Sequence, residues 1–247
     1  MLNNSTINQL RDLRLSAMAD CFIEQENNVS INSLAFEERF AFLVEAEWML
    51  RRNKRIQRLT RQACFRFPAS IEDIDWHGKK GINKHEIVKH SLGSYIKKAQ
   101  NIIISGPTGV GKTYLACALG HAACMQGTAV VYTRLSDFFQ EIFEREDNSL
   151  RNKYAAVPLL ILDDWGLKKF SLEETAEISD LFERRYGRTS TIISGQIPQN
   201  AWHDLFPDPT QADSILDRIV HNAYTYSITG ESMRKALGKR SLESSDF

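Results

Sequence analysis

The sequence carries no excess of charge: 31 basic and 31 acidic side chains cancel over 247 residues. A bulk polycation or polyanion is therefore excluded, although local patches are not. Cysteine is scarce, four in all (Cys21, Cys64, Cys117 and Cys124), and no two form a CxxC. Cys117 and Cys124 fall on an expected helix, separated by about 10 Å of rise, too far to bridge. Reduced thiols and a cytoplasmic location follow. Long hydrophobic runs are missing too. Leu159–Leu162 is the longest that reads as buried, far short of a membrane span. The opening MLNNSTINQLRDLRL lacks the apolar core of a signal peptide. A soluble, intracellular protein with no membrane partner is expected. There is no internal repeat, and His77, His85, His90, His121, His203 and His221 show neither metal spacing nor a nucleophile partner. What remains is globular: 43% of residues are hydrophobic, which excludes wholesale disorder. The length suits one large domain or two modest ones.

Leu10, Leu13, Ala17, Cys21 and Phe22 recur at helical spacing, and Thr6 with Gln9 has the form of a capping box. Asn27 and Asn28 break this pattern. A second helix is predicted from about Ala35 to Cys64, with Phe36, Phe40, Leu43, Val44 and Trp48 in its first half. From Arg51 to Arg66 seven residues are basic (Arg51, Arg52, Lys54, Arg55, Arg58, Arg61, Arg66) and none is acidic. Pro68 ends the segment. Residues 68–100 read as a connection with two short helical pieces. From Asn101 strands alternate with helices: NIIIS (101–105), TAVVYT (128–133), VPLLILDD (157–164), STIIS (190–194) and YTYSI (224–228) are the expected strands. The expected helices are 113–127, 136–145 and 172–186. Such alternation predicts an α/β class with a parallel sheet flanked by helices.

Gly106-Pro107-Thr108-Gly109-Val110-Gly111-Lys112-Thr113 matches GxxxxGK[ST] in full, after an apolar strand and at the start of a helix. The glycines let backbone N–H groups converge on phosphate oxygens, and the helix N-terminus adds its positive end. Lys112 would reach the β- and γ-phosphates and Thr113 would hold Mg2+. ATP with Mg2+ is the expected cofactor. In Leu159-Leu-Ile-Leu-Asp163-Asp164 a buried strand delivers two carboxylates to the phosphate end of the sheet. Asp163 would direct Mg2+, and Asp164 would polarise an attacking water. The alternative is a strand-ending pair that caps the next turn.

Three further sites each admit two readings. Ser194-Gly195-Gln196 ends the fourth strand, where a polar residue would sense a γ-phosphate; otherwise it is a polar turn before Pro198. Arg218, near the end of the helix ADSILDRIV, is placed as an arginine finger for a neighbouring subunit, or is a surface residue paired with Asp217 or Asp213. The basic stretch is either a solvated helix face or a contact for nucleic acid. Neighbours such as Arg51/Arg55 and Lys54/Arg58 repel one another, which an anionic partner relieves. Arg51, Lys54, Arg55 and Arg58 keep to one side of the helix, with Arg61 at its margin. Arg234, in GESMRK, is a weaker candidate cation.

The chain resembles the IstB-like AAA+ ATPases, helper proteins encoded beside the transposase of certain bacterial insertion sequences and relatives of the DnaC-type helicase loaders. The resemblance runs from about residue 7 to 236. Its carriers are LRDLRLSAMAD, LAFEERFAFLVEAEW, NIIISGPTGVGKTYLACALGHAA, LLILDDWGL, RRYGRTSTIISGQIP, DPTQADSILDRIVHNAY and GESMRK. It implies a small N-terminal all-helical domain, residues 1–67, joined to a P-loop AAA+ ATPase domain, residues 68–247. It further implies that Gly106, Gly109 and Gly111 form the phosphate loop, that Asp163 directs the metal, and that Arg218 acts in trans. Arg234 matches a later basic motif of the family. Asp164 stands where many AAA+ proteins have Glu. The sensor is commonly Asn, so Ser194 or Gln196 must substitute. The implied function is ATP-dependent assembly on double-stranded DNA and delivery of that site to a cognate transposase, with self-association into a multi-subunit assembly. The rival within the resemblance is a replicative helicase loader. A small-molecule kinase would need a lid segment, which is not found. An interaction module with a degenerate P-loop is opposed by the intact Lys112, Thr113 and Asp163.

Overall fold

The computed structural model describes residues 2–76, 81–145 and 148–230. The chain divides into two compact units, 1–58 and 59–247, each described by itself. The division falls inside a helix rather than at the expected boundary of residue 67.

The first unit contains α1 (Leu2–Asp12), α2 (Ser16–Asn27), the short α3 (Val29–Asn32) and most of α4 (Phe36–Ala63). The expected first helix is two. The chain turns between them at Arg14, whose φ is +59°, so Leu10 and Ala17 belong to different helices. Thr6 lies inside α1, not at a cap. Glu47 of α4 caps α2 instead: its carboxylate accepts from the Ala17 and Met18 N–H groups at 3.0 and 3.4 Å. Arg51 donates to the same carboxylate at 2.8 Å and to the Arg14 carbonyl at 3.1 Å. Burial opposes the charge on Glu47, but the Arg51 bond and the two backbone donors hold its carboxyl below the ordinary carboxylate range. Phe36, Phe40, Val44 and Trp48 remain exposed at four-residue spacing along α4.

The second unit begins with the last turn of α4 and continues through α5 (Lys84–Ser91) and α6 (Ser94–Lys97). Then come β1 (Asn101–Ser105), α7 (Lys112–Met125), β2 (Val130–Arg134), α8 (Leu135–Glu144), α9 (Ser149–Ala156) and β3 (Leu159–Trp165). The chain ends its described part with α10 (Leu172–Arg185), β4 (Ser190–Gly195), α11 (Pro209–Val220) and β5 (Ala223–Ser227). The helix α9 was not legible from its polar sequence SLRNKYAA. The five strands form one parallel sheet in the order β2-β3-β4-β1-β5.

Side chains alternate across the sheet. Ile102, Ile104, Leu159, Ile161 and Ile192 face one core with Leu115 and Leu119 of α7, which also takes in Leu59, Ala63 and Ile87. Ile103, Leu160, Leu162 and Ile193 face the other, with Phe138, Phe139, Ile178, Phe182 and Ile215 from α8, α10 and α11. With helices on both faces, continuous apolar strands such as NIIIS are buried throughout. Leu59 and Ala63 belong to this core, which is why the unit starts before Pro68. No helix among the described residues is long and apolar enough to cross a membrane.

Candidate nucleotide site

β1 ends at Ser105, and the loop that follows needs left-handed backbone at Gly106 (φ +148°), Gly109 (φ +90°) and Gly111 (φ +99°). A Cβ at Gly106 would run into the carbonyl oxygen of Ile228. Val110 is buried in the core beneath the loop, while Pro107 and Thr108 are exposed. Gly111 is the N-cap of α7, and no side chain caps that end. The positive end of that helix favours an anion. The Lys112 ammonium donates to the Pro107 carbonyl at 2.9 Å, folded back across the loop.

Asp163 is where the remaining parts converge. Its carboxylate is buried and accepts three hydroxyls: Thr113 at 3.1 and 2.9 Å, Tyr132 at 2.8 Å, and Ser194. The Ser194 contact depends on a break in register. Leu162 pairs with Ile193 and Trp165 with Gly195, so Asp163 and Asp164 of β3 oppose the single residue Ser194 of β4. This is a bulge, with Asp164 taking the left-handed conformation at φ +60°. Aspartate tolerates that region better than most residues. The bulge brings two consecutive carboxylates to one end of the sheet, where a regular strand would send them to opposite faces. Burial and the neighbouring Asp163 charge raise the Asp164 pKa above the ordinary carboxylate value, against the pull of Arg66, Arg134 and Lys112.

Of the two sensor candidates, Ser194 is buried against Asp163 and Gln196 is exposed on the following turn. Two residues that the sequence did not single out for this site also belong to it. Tyr132 comes from β2, and Arg66 from the turn after α4. Arg66 Nη1 lies 3.8 Å from Asp163 and 3.7 Å from Asp164. Neither carries a local motif, and Arg66 was counted with the basic stretch. The oxygen donors Thr113 and Asp163 suit a hard cation such as Mg2+, which prefers one or two protein oxygens plus phosphate and water. Among the described residues no group of three or more His, Cys, Asp or Glu could hold a metal by itself.

Arg218 sits at the opposite end of the sheet. Asn101, the first residue of β1, donates to the Ile219 carbonyl at 2.9 Å and accepts from the Thr191 N–H at 2.9 Å. This fixes the end of α11 at the start of β1, while the phosphate loop follows its end. The strand alone separates them by about 13 Å. Arg218 pairs with Glu183 at 3.7 Å and donates to the Ser214 carbonyl at 2.7 Å, not with Asp217 or Asp213. Together with Arg185 and Asn222 it lines a cavity of about 330 Å³. Arg234 and His77 lie outside the described residues. Arg51, Lys54, Arg55, Arg58 and Arg61 are all exposed on α4, and Arg51 pairs with Glu47.

The strand order, with the Ser194 strand inserted between the P-loop strand and the Asp163 strand, defines a P-loop AAA+ nucleotide-binding domain with N-terminal helices. The fold is similar to a DnaC helicase loader (20% identity, TM-score 0.55, covering 66% of this chain and 98% of that one). It is also similar to the replication initiator DnaA bound to AMPPCP and single-stranded DNA (23% identity, TM-score 0.57, covering 73% and 56%). The family model described as IstB-like ATP binding protein matches residues 8–241, and the chain belongs to that family. A putative insertion sequence ATP-binding protein of Sinorhizobium fredii is 38% identical over 98% of this chain and 100% of its own length.

Proposed function

We propose that this chain is a Mg2+-dependent ATPase that assembles on double-stranded DNA in the cytoplasm and helps a partner transposase act there. The observation that carries the nucleotide half is the Thr113–Asp163 contact beside an intact P-loop. Bound Mg2+ would neutralise charge on the β- and γ-phosphates. Lys112 exchanges its Pro107 carbonyl for phosphate oxygens. Asp164, with its raised proton affinity, accepts a proton from the attacking water. Ser194 reads the γ-phosphate from its place beside Asp163. Arg218 is too far from its own phosphate loop to act there, so it serves the nucleotide of an adjacent subunit, and hydrolysis is tied to self-association. Lys54, Arg55, Arg58 and Arg61 face the DNA backbone, neutralising phosphates without reading bases.

Membership of a family whose relatives are named for insertion sequences supports the transposase partner. The test is duplex binding with and without a non-hydrolysable ATP analogue, followed by capture of a transposase on the assembled complex. Assembly that ignores nucleotide would overturn the reading. A second reading, a replicative helicase loader, draws on the likeness to the DnaC fold. It predicts capture of a replicative helicase and little dependence on duplex DNA.

A further inference from the structure

Arg66 stands apart from the other cations of the basic stretch. α4 ends at Ala63, and Cys64 reverses the chain with a left-handed φ of +54°. Residues 65–67 are then held against α7. Gly120 leaves room for the Phe65 ring, which a Cβ there would approach to 2.6 Å. Burial raises the pKa of the Cys117 thiol on α7, and the nearby backbone of Phe67 and Arg66 pulls it the other way. From this turn the Arg66 guanidinium reaches both Asp163 and Asp164.

The three hydroxyls on Asp163 satisfy its oxygens but supply no positive charge, and Asp164 adds a second negative group. Arg66 supplies positive charge within ion-pair range of both carboxylates, with Arg134 and Lys112 also acting on Asp164. Its hold is loose. The ion-pair distances are 3.7 and 3.8 Å, not those of a direct hydrogen bond, and its side chain is 37% exposed. A cation held in this way can leave.

We propose that Arg66 is a positioning residue, the resident counter-cation of Asp163 and Asp164, which withdraws when Mg2+-nucleotide binds. Its withdrawal carries site occupancy to the C-terminal end of α4 through residues 64–67. This rests on the Mg2+-ATP reading of the site. α4 also bears the proposed DNA-binding cations.

The test uses the full chain and a fluorescent non-hydrolysable ATP analogue, titrated with MgCl2. Wild type, Arg66→Gln and Arg66→Lys are compared. A nearby unit charge shifts a carboxylate equilibrium by about tenfold or more. With one-third exposure, Arg66→Gln is expected to lower the half-saturating Mg2+ by roughly three- to tenfold, while Arg66→Lys stays near wild type. The exposed thiol of Cys64, two residues away, is a native reporter. Its labelling rate, read by peptide mass mapping, should change in wild type on addition of Mg2+ and analogue but not with analogue alone. In Arg66→Gln it should be the same under both conditions. An unmoved or raised Mg2+ midpoint in a variant that binds nucleotide overturns the proposal. So does a Cys64 rate in wild type that ignores Mg2+-nucleotide, a measurement that stands even if the variant fails to fold. Loss of nucleotide binding by wild type itself overturns the Mg2+-ATP reading beneath it, a distinguishable result.

Discussion

Thr113 lies in the first turn of α7 and Asp163 follows the apolar run of β3, yet the hydroxyl of the first lies 3.1 and 2.9 Å from the two carboxylate oxygens of the second. One group from the phosphate loop and one from a strand two places away in the sheet thereby become a single oxygen surface. The remaining parts of the site are arranged around that pair, and each supports an expected outcome.

Lys112→Ala removes the ammonium that would compensate the β- and γ-phosphates. The residue's bond to the Pro107 carbonyl lies within the phosphate loop. ATP affinity is expected to fall at least tenfold while thermal unfolding stays near wild type. Equilibrium binding of a fluorescent ATP analogue, with calorimetry alongside, checks both. Undiminished affinity would remove the P-loop reading.

Asp164→Asn keeps the shape of the bulge but not the charge. The variant should bind Mg2+-ATP and assemble on DNA, yet turn over about a hundredfold more slowly. Burial and Asp163 raise the wild-type Asp164 pKa. Because a general base must be deprotonated, wild-type turnover should decline on acidification at a higher pH than an ordinary carboxylate would give. A pH profile of phosphate release that is flat through that range assigns Asp164 a structural role.

Arg218→Ala should leave binding of ATP to an isolated subunit intact and reduce DNA-stimulated hydrolysis. Mixed with Asp164→Asn, it should regain part of the activity, since one interface then joins an intact Asp164 to an intact Arg218. The check is phosphate release across mixing ratios, with mixed assembly shown by differential labelling. Absence of any recovery in proven mixed assemblies would rule against action in trans.

Lys54, Arg55 and Arg58 are exposed on α4, and Arg51 is left unchanged because it also holds Glu47. Replacing those three by Gln preserves helix propensity. If each neutralises one phosphate, the log–log salt slope of duplex binding should become shallower by about 2.7 per subunit. Affinity should drop by a similar factor on unrelated duplexes. A salt titration that gives equal slopes would move the helicase-loader reading ahead.

Glu47 offers a test of the first unit. Its folded pKa is depressed by Arg51 and the α2 backbone despite burial. Its contribution is therefore present above the unfolded pKa and is lost as pH falls through the folded one. Amide-exchange protection at Ala17 and Met18, corrected for intrinsic rates, should fall on acidification over that window. In Glu47→Gln the protection should already be low at neutral pH and vary little.

The phosphate loop, the apolar strands and the long α4 were legible because their signals are contiguous. A glycine's need for positive φ, a four-residue hydrophobic run and a helical period are properties of neighbouring residues, and so is the run of cations after Arg51. The surroundings of Asp163 are not of this kind. Tyr132 and Arg66 come from β2 and the turn after α4, and nothing near either announces its role, while Ser194 of β4 was one of two candidates. Strand register places Tyr132. The bulge that sets Asp163 and Asp164 against Ser194 selects Ser194 over Gln196. The left-handed turn at Cys64 aims Arg66 at Asp163 and Asp164. The same holds for the break at Arg14, where the helical period runs on but the carboxylate of Glu47, 30 residues from Ala17, caps a new helix. The sequence by itself determined which segments fold and what chemistry the phosphate loop carries. Only the tertiary structure decided which distant side chains share a buried carboxylate, because that depends on sheet register and chain reversal rather than on local preference.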